Sequence, residues 1–307
     1  MNTKLVILVI FNFICYVETR SVCQVPKHTN SCYAIITMVG GHPHYTLGAN
    51  VLLHSLRASL RPQVLRNTDF IAMITGIDEN VGMTKHSLSR HWHACEPPSI
   101  GDAGKGKTVL FDKLWVYHML DYERVMFIDA DAFAVGDVSP MLNTPNMKSI
   151  SVTPDWFEGL PLKAGDAVGF NTGVFSVKPD KDEFFRLNKH RLDHPEIYDD
   201  QSCINSYYGG GKTIYQSNST NVTWFVFSFN AWLNGIAEGQ RPSRNGWDDI
   251  WNFYNPKVIH HLIGHIPPER PLKNATDPRS VVYKRWWEYA DDFSSAQQSS
   301  PLSNSQT

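Results

Sequence analysis

Val125-Met126-Phe127-Ile128-Asp129-Ala130-Asp131 is the stretch on which the fold turns. Four consecutive apolar residues have the length and composition of a strand buried on both faces, and they run straight into two carboxylates separated by one small residue. In open α/β sheets ligands collect beyond the carboxyl ends of the strands, which is where this pair falls. Two carboxylates so spaced can face one hard cation, with Ala130 letting backbone come close to a ligand. Such a site suits magnesium or manganese bridging a diphosphate, whose oxygens complete an octahedral shell. In isolation the same spacing is a common surface turn; its place directly after an apolar strand selects the metal reading.

Working outward, Tyr33-Ala-Ile-Ile-Thr-Met-Val39 reads as another buried strand, stopped by Gly40-Gly41. The helix expected from about Thr46 to Leu60 places Ala49, Leu53, Leu56 and Leu60 on one face, and Pro62 marks its end. Phe70 to Thr75 is predicted as a strand and Val109 to Leu120 as a second amphipathic helix. Beyond the aspartates, Ser149 to Thr153 and Gly173 to Val177 read as strands, and Lys181 to Arg191 and Asp200 to Tyr208 as helices. This alternation predicts an α/β fold, a single Rossmann-like domain over 33–275 with a mostly parallel central sheet flanked by helices. Residues 276–293 form a carboxyl-terminal extension. From Ser294 to Thr307 almost nothing can be buried, so a disordered tail is expected there.

Composition narrows the function. Of 307 residues 42% are hydrophobic, ample for a core, while 28 Lys and Arg against 30 Asp and Glu leave no basic footprint for nucleic acid. Met1 to Lys4 followed by the apolar run Leu5 to Val17 has the form of a secretory signal, assigned to residues 1–19, with 20–32 as a lead-in. The run is shorter than the ~20 residues of a membrane span, so cleavage is favoured over a retained anchor and no stable span is expected. Cys23, Cys32, Cys95 and Cys203, together with glycosylation sequons at Asn218, Asn221 and Asn274, agree with an oxidising lumen. Four cysteines allow three full pairings, and the sequence does not choose among them.

An ordered series of motifs then resembles glycosyltransferase family 8, the group containing glycogenin. The series is Ile36-Thr37-Met38-Val39, Tyr45, Leu47 to Leu52, Lys113-Leu114-Trp115, Phe127 to Asp131, Phe170 to Phe175, Asp200-Gln201 and His261-Leu262-Ile263-Gly264. The resemblance covers about Tyr33 to Arg270 and implies a GT-A fold with a retaining, metal-dependent transfer from a UDP-sugar to an acceptor hydroxyl. By the same resemblance Met38 and Val39 line a uridine pocket and Tyr45 stacks on the base. Lys113 meets a diphosphate or sugar oxygen, and Asp129, Asp131 and His261 hold Mn2+ or Mg2+. Asn171, Thr172, Asp200 and Gln201 touch the donor sugar, and Gly264 lets backbone approach the phosphates. Adjacent residues of an extended segment point to opposite faces, so His260 is expected to face away from the metal. The family's lysine-proline-tryptophan sequence after that glycine is missing, and Arg270 is the replacement cation; Ile197 stands where the family often has an acidic residue, with Asp199 as its substitute. Without a securely placed carboxylate for double displacement, front-face attack is expected, with Asp200 as alternative nucleophile or charge stabiliser.

Two rival readings follow from the same residues. Gly101 to Thr108 matches a phosphate-binding loop pattern, which would make the chain a nucleotide hydrolase, but the preceding Glu96-Pro-Pro-Ser-Ile100 is no central strand. A catalytically silent sugar-binding module of the same fold is the other.

Overall fold

The computed structural model describes residues 23, 31–40, 43–75, 81–88, 91–100, 108–155, 167–209, 213–214, 221–225, 231–232, 256–260 and 278–299. Its strands are β1 Tyr33–Gly40, β2 Thr68–Thr75, β3 His93–Cys95, β4 Arg124–Ile128, β5 Ala132–Ala134, β6 Ile150–Pro154, β7 Ala167–Val168, β8 Phe170–Val177, β9 Thr213–Ile214, β10 Val222–Trp224, β11 Ala231–Trp232 and β12 Val258–His260. Seven of them form the central sheet in the order β10-β6-β8-β4-β1-β2-β3. Every neighbouring pair is parallel except those made by β8, which runs antiparallel to both β4 and β6. The expected α/β architecture with a mostly parallel sheet is therefore what the chain adopts.

Adjacent residues of a strand feed opposite faces, and the core divides accordingly. Ile36, Met73, Phe127 and Phe175 pack on Leu114, Trp115, Phe184 and Ile204, beneath the helices Lys181–Asp193 and Asp200–Gly209. Ile35, Ala72, Met126 and Val174 pack instead on Ala49, Leu52, Leu53 and Leu56 of the helix Pro43–Ser59, the apolar face the sequence foresees.

Two expectations are corrected. The segment read as an amphipathic helix is a 3-10 helix over Thr108–His118. Residues 111–118 are all buried, Asp112 and Lys113 included, so they have no solvent face of the kind an amphipathic helix presents. The polar stretch from Ser294 is helical as far as Ser299, at the end of the helix Pro278–Ser299. That helix is anchored earlier by Val282, Trp286 and Ala290, spaced by four, which pack on Phe133 of β5 and Ile259 of β12. Within the polar stretch, Ser294 Oγ donates to the Ala290 carbonyl at 2.9 Å.

Cys23 and Cys95 are joined by a disulfide across 72 positions of sequence, and Cys203 is a buried thiol, so the four cysteines adopt one bridge and not one of the three full pairings. A loop of that length removes enough unfolded-chain entropy to contribute about 4 kcal/mol. Thermal melts with and without a reductant, and of Cys23→Ser, are expected to show a matching loss of stability; coincident melts would mean the bridge does not form in solution.

Candidate active site

The site is assembled where β4, β8 and β12 meet. Asp129 leaves the end of β4, its N–H donating to the Gly173 carbonyl of β8 at 2.8 Å. The Ala132 N–H donates back to the Asp129 carbonyl at 3.0 Å, so residues 129–132 form a turn that leads into β5. Within that turn Asp131 is buried and Ala130 is closely covered. β5 pairs antiparallel with β12, setting His260 opposite Ala132. A strand from far along the chain thereby delivers an imidazole to the carboxylates.

That imidazole belongs to His260, the residue assigned above to the opposite face. Its Nε2 lies 3.2 Å from Asp131 Oδ1 and 3.5 Å from Asp129 Oδ2. The spacing to Gly264 had pointed to His261, which lies outside the described residues, as do Gly264 and Arg270. The apolar pair Val258-Ile259 pairs with Ala134 and Phe133 and carries His260 to the turn. Asp129, Asp131 and His260 each present one ligand atom within 4.8 Å of the others, close enough for the three to hold one metal ion. Two carboxylates and one imidazole are a donor set suited to a divalent cation such as manganese or magnesium. Burial alone would lower the His260 pKa, but Asp131 and Asp129 outweigh it and the net shift is upward.

Lys113 lies behind the aspartates. Its Nζ is 3.0 Å from Asp129 Oδ1 and 3.1 Å from Asp200 Oδ2, and sits 5.0 Å above the Phe127 ring. The lysine and Asp200 side chains are each 6% exposed, whereas Asp129 keeps 23%, so Asp129 is the most open of the three. Burial would discharge the ammonium, yet Asp129 and Asp200 raise its pKa above the ordinary value. Burial in turn raises the Asp129 pKa, against the pull of Lys113.

The residues assigned to the sugar form one hydrogen-bonded unit. Thr172 Oγ1 donates to Asp200 Oδ2 at 2.7 Å, and the Thr172 N–H donates to Gln201 Oε1 at 3.2 Å. Gln201 Nε2 and Asn171 Nδ2 both donate to Asp155, at 2.8 and 3.4 Å. Asp155 is 7% exposed and was missed from sequence, where an aspartate just past the Pro154 end of β6 looks like a turn residue. The available signal was its position at the end of a buried strand, the same argument that singled out Asp129.

Met38 and Val39 end β1 on the same edge of the sheet, Val39 buried and Met38 partly so. Tyr45 is half-buried near the cleft, its hydroxyl pKa raised by burial and by the nearby Asp131 and Asp129. The phosphate-loop candidate gains no support from its flanks. β3 is a three-residue edge strand that ends at Cys95, well short of Gly101, and residues 101–107 lie outside the described residues.

A parallel sheet interrupted by one antiparallel strand, with an acidic pair at its centre, is the GT-A glycosyltransferase fold, and solved structures with that fold superpose on the chain. An active-site mutant of LgtC matches with a TM-score of 0.58 at 18% identity, covering 84% of this chain and 95% of the other. GlyE of Streptococcus pneumoniae TIGR4 matches with a TM-score of 0.54 at 15% identity, covering 87% and 63%. In sequence the chain is similar to glycogenin-1 of Caenorhabditis elegans, 23% identical over 190 residues, covering 56% of this chain. The match spans 38% of the length of that relative. No protein-family model matches the chain. The chain thus resembles glycosyltransferase family 8 both in its motifs and in its fold.

Proposed function

We propose that this chain is a retaining glycosyltransferase that moves a hexose or related sugar from a UDP-sugar to an acceptor hydroxyl in the lumen of the secretory pathway. The observation that carries the reading is the convergence of Asp129, Asp131 and His260 beside the buried Lys113–Asp200 pair at the carboxyl edge of the sheet. LgtC, one of the fold's other bearers, has been solved with donor and acceptor sugar analogues.

Asp129, Asp131 and His260 would hold a manganese or magnesium ion. When bound, such an ion supplies Lewis-acid stabilisation of the negative charge on a departing diphosphate. The protein's own groups do the rest. Lys113 fixes a positive charge between Asp129 and Asp200, preorganised where charge redistributes as the anomeric bond breaks. Asp200 accepts from both Thr172 and Lys113, so its carboxylate is held in one orientation and partly neutralised. That favours a fixed negative charge facing an oxocarbenium-like centre over a covalent nucleophile, in line with front-face attack. Asn171, Gln201 and Asp155, locked to one another, offer a rigid polar rim for sugar hydroxyls. The Cys23–Cys95 bridge, the leader-like amino terminus and the exposed Asn221 of a sequon support the lumenal address.

The test is a hydrolysis screen of UDP-glucose, UDP-galactose, UDP-N-acetylglucosamine, UDP-xylose and UDP-glucuronic acid with manganese. Turnover of at least one, lost on adding EDTA, is expected. Absence of turnover with every donor would favour the silent module. The ligand set has its own test. His260→Ala is expected to raise the manganese concentration needed for half-maximal turnover by about 10- to 100-fold, and His261→Ala to change it less than about threefold. The opposite pattern would restore the register set by Gly264.

A further inference from the structure

β8 is buried along its whole length, yet it has a glycine at position 173. Glycine inside a strand loses more backbone freedom on folding than alanine does and contributes no packing. Backbone geometry does not call for it, since the φ of Gly173 lies outside the left-handed region. What occupies the space of a side chain there is the His260 ring. A β-carbon at position 173 would fall inside the van der Waals envelope of His260 Cε1. It would lie only 2.6 Å from Nδ1 and 2.8 Å from Asn171 Oδ1. The same residue holds the other arm of the site, because its carbonyl accepts the Asp129 N–H at 2.8 Å and its own N–H donates to Asn171 Oδ1 at 2.8 Å.

We infer that Gly173 is a positioning residue: the missing side chain is the seat of the His260 imidazole, and it sets how closely that ring approaches Asp129 and Asp131. This rests on the assignment of His260 to the metal site. The ring has little freedom to yield. His260 is 8% exposed, its Nε2 is already at the carboxylates, and its backbone is fixed by pairing with Ala132. A methyl group at position 173 therefore forces the ring out of this position, and presses on Asn171 Oδ1, which accepts the Gly173 N–H.

The inference is tested with the full chain as a double-mutant cycle of Gly173→Ala and His260→Ala, with two readouts. The first is manganese affinity, from the electron paramagnetic resonance signal of the free ion. Gly173→Ala is expected to weaken binding by about 10- to 100-fold, and to have no further effect once His260 is alanine. The second is the melting temperature in EDTA, expected to fall for Gly173→Ala alone and to recover in the double variant, whose cavity accepts the methyl group. An equal loss of affinity and of stability in both backgrounds would overturn the inference, because glycine would then serve β8 and not the ring. If His260→Ala by itself leaves manganese affinity unchanged, the ligand assignment fails, and the melts in EDTA still decide whether Gly173 seats the ring. Should Gly173→Ala not fold alone, recovery of a folded protein in the double variant upholds the inference, and failure of both overturns it.

Discussion

Replacing Asp131 by alanine is expected to reduce manganese-dependent donor hydrolysis by about 10³-fold or more, since removing one preorganised electrostatic partner of a transition state alone costs 10²- to 10³-fold. Asp129→Ala should do the same. Asp131, though buried, lies on the turn between β4 and β5 against the polar His260, and the Asp129 side chain keeps 23% of its surface open, so neither residue packs within an apolar cluster. The melting temperature of Asp131→Ala should accordingly stay within a few degrees of the parent while turnover disappears. Steady-state rates across a manganese titration are the measurement. Turnover that survives both the substitution and EDTA would remove the metal from the mechanism altogether.

The second large effect is on stability. Lys113 is the cation between two carboxylates, one of them buried as deeply as itself. Removing one partner of a buried ion pair leaves an uncompensated charge and typically costs about 3–5 kcal/mol. Lys113→Ala is therefore expected to lower unfolding free energy by that order in chemical denaturation, besides abolishing turnover. Much of the stability should return in Lys113→Ala combined with Asp200→Asn, which removes the stranded charge and keeps an oxygen to accept from Thr172 Oγ1. If Lys113→Ala unfolds at the same denaturant concentration as the parent, the lysine is better solvated than its 6% exposure implies.

Much of this was legible in the amino-acid order because the signals were local. Apolar runs such as Val125 to Ile128 and Ile35-Ile36 are strands buried on both faces, and four-residue apolar steps in Pro43–Ser59 define a packed helix face. The aspartates were recognisable from the strand before them. What the sequence hid is what pairing between distant segments decides. Choosing between His260 and His261 required knowing that β12 lies against β5 with Ala132 opposite His260. Asp155 looked like a turn residue until Asn171, from β8, and Gln201, from the helix Asp200–Gly209, closed on its carboxylate. The 3-10 geometry of Thr108–His118 was hidden for a related reason: residues 111–118 are all buried, and tertiary packing overrode a helical period that the composition suggested.

β12 also has a temporal consequence. During synthesis β4, with both aspartates and Lys113 already made, leaves the ribosome well before the segment bearing His260, and β8 with Gly173 precedes it too. Contacts between such distant segments close late, after the entropy of a long loop has been overcome. A chain stalled short of residue 258 can bring together the carboxylates and the lysine, but not the imidazole. On the proposed reading, full-affinity metal binding therefore reports that β12 has docked, and would separate chains that have closed the site from those that have not.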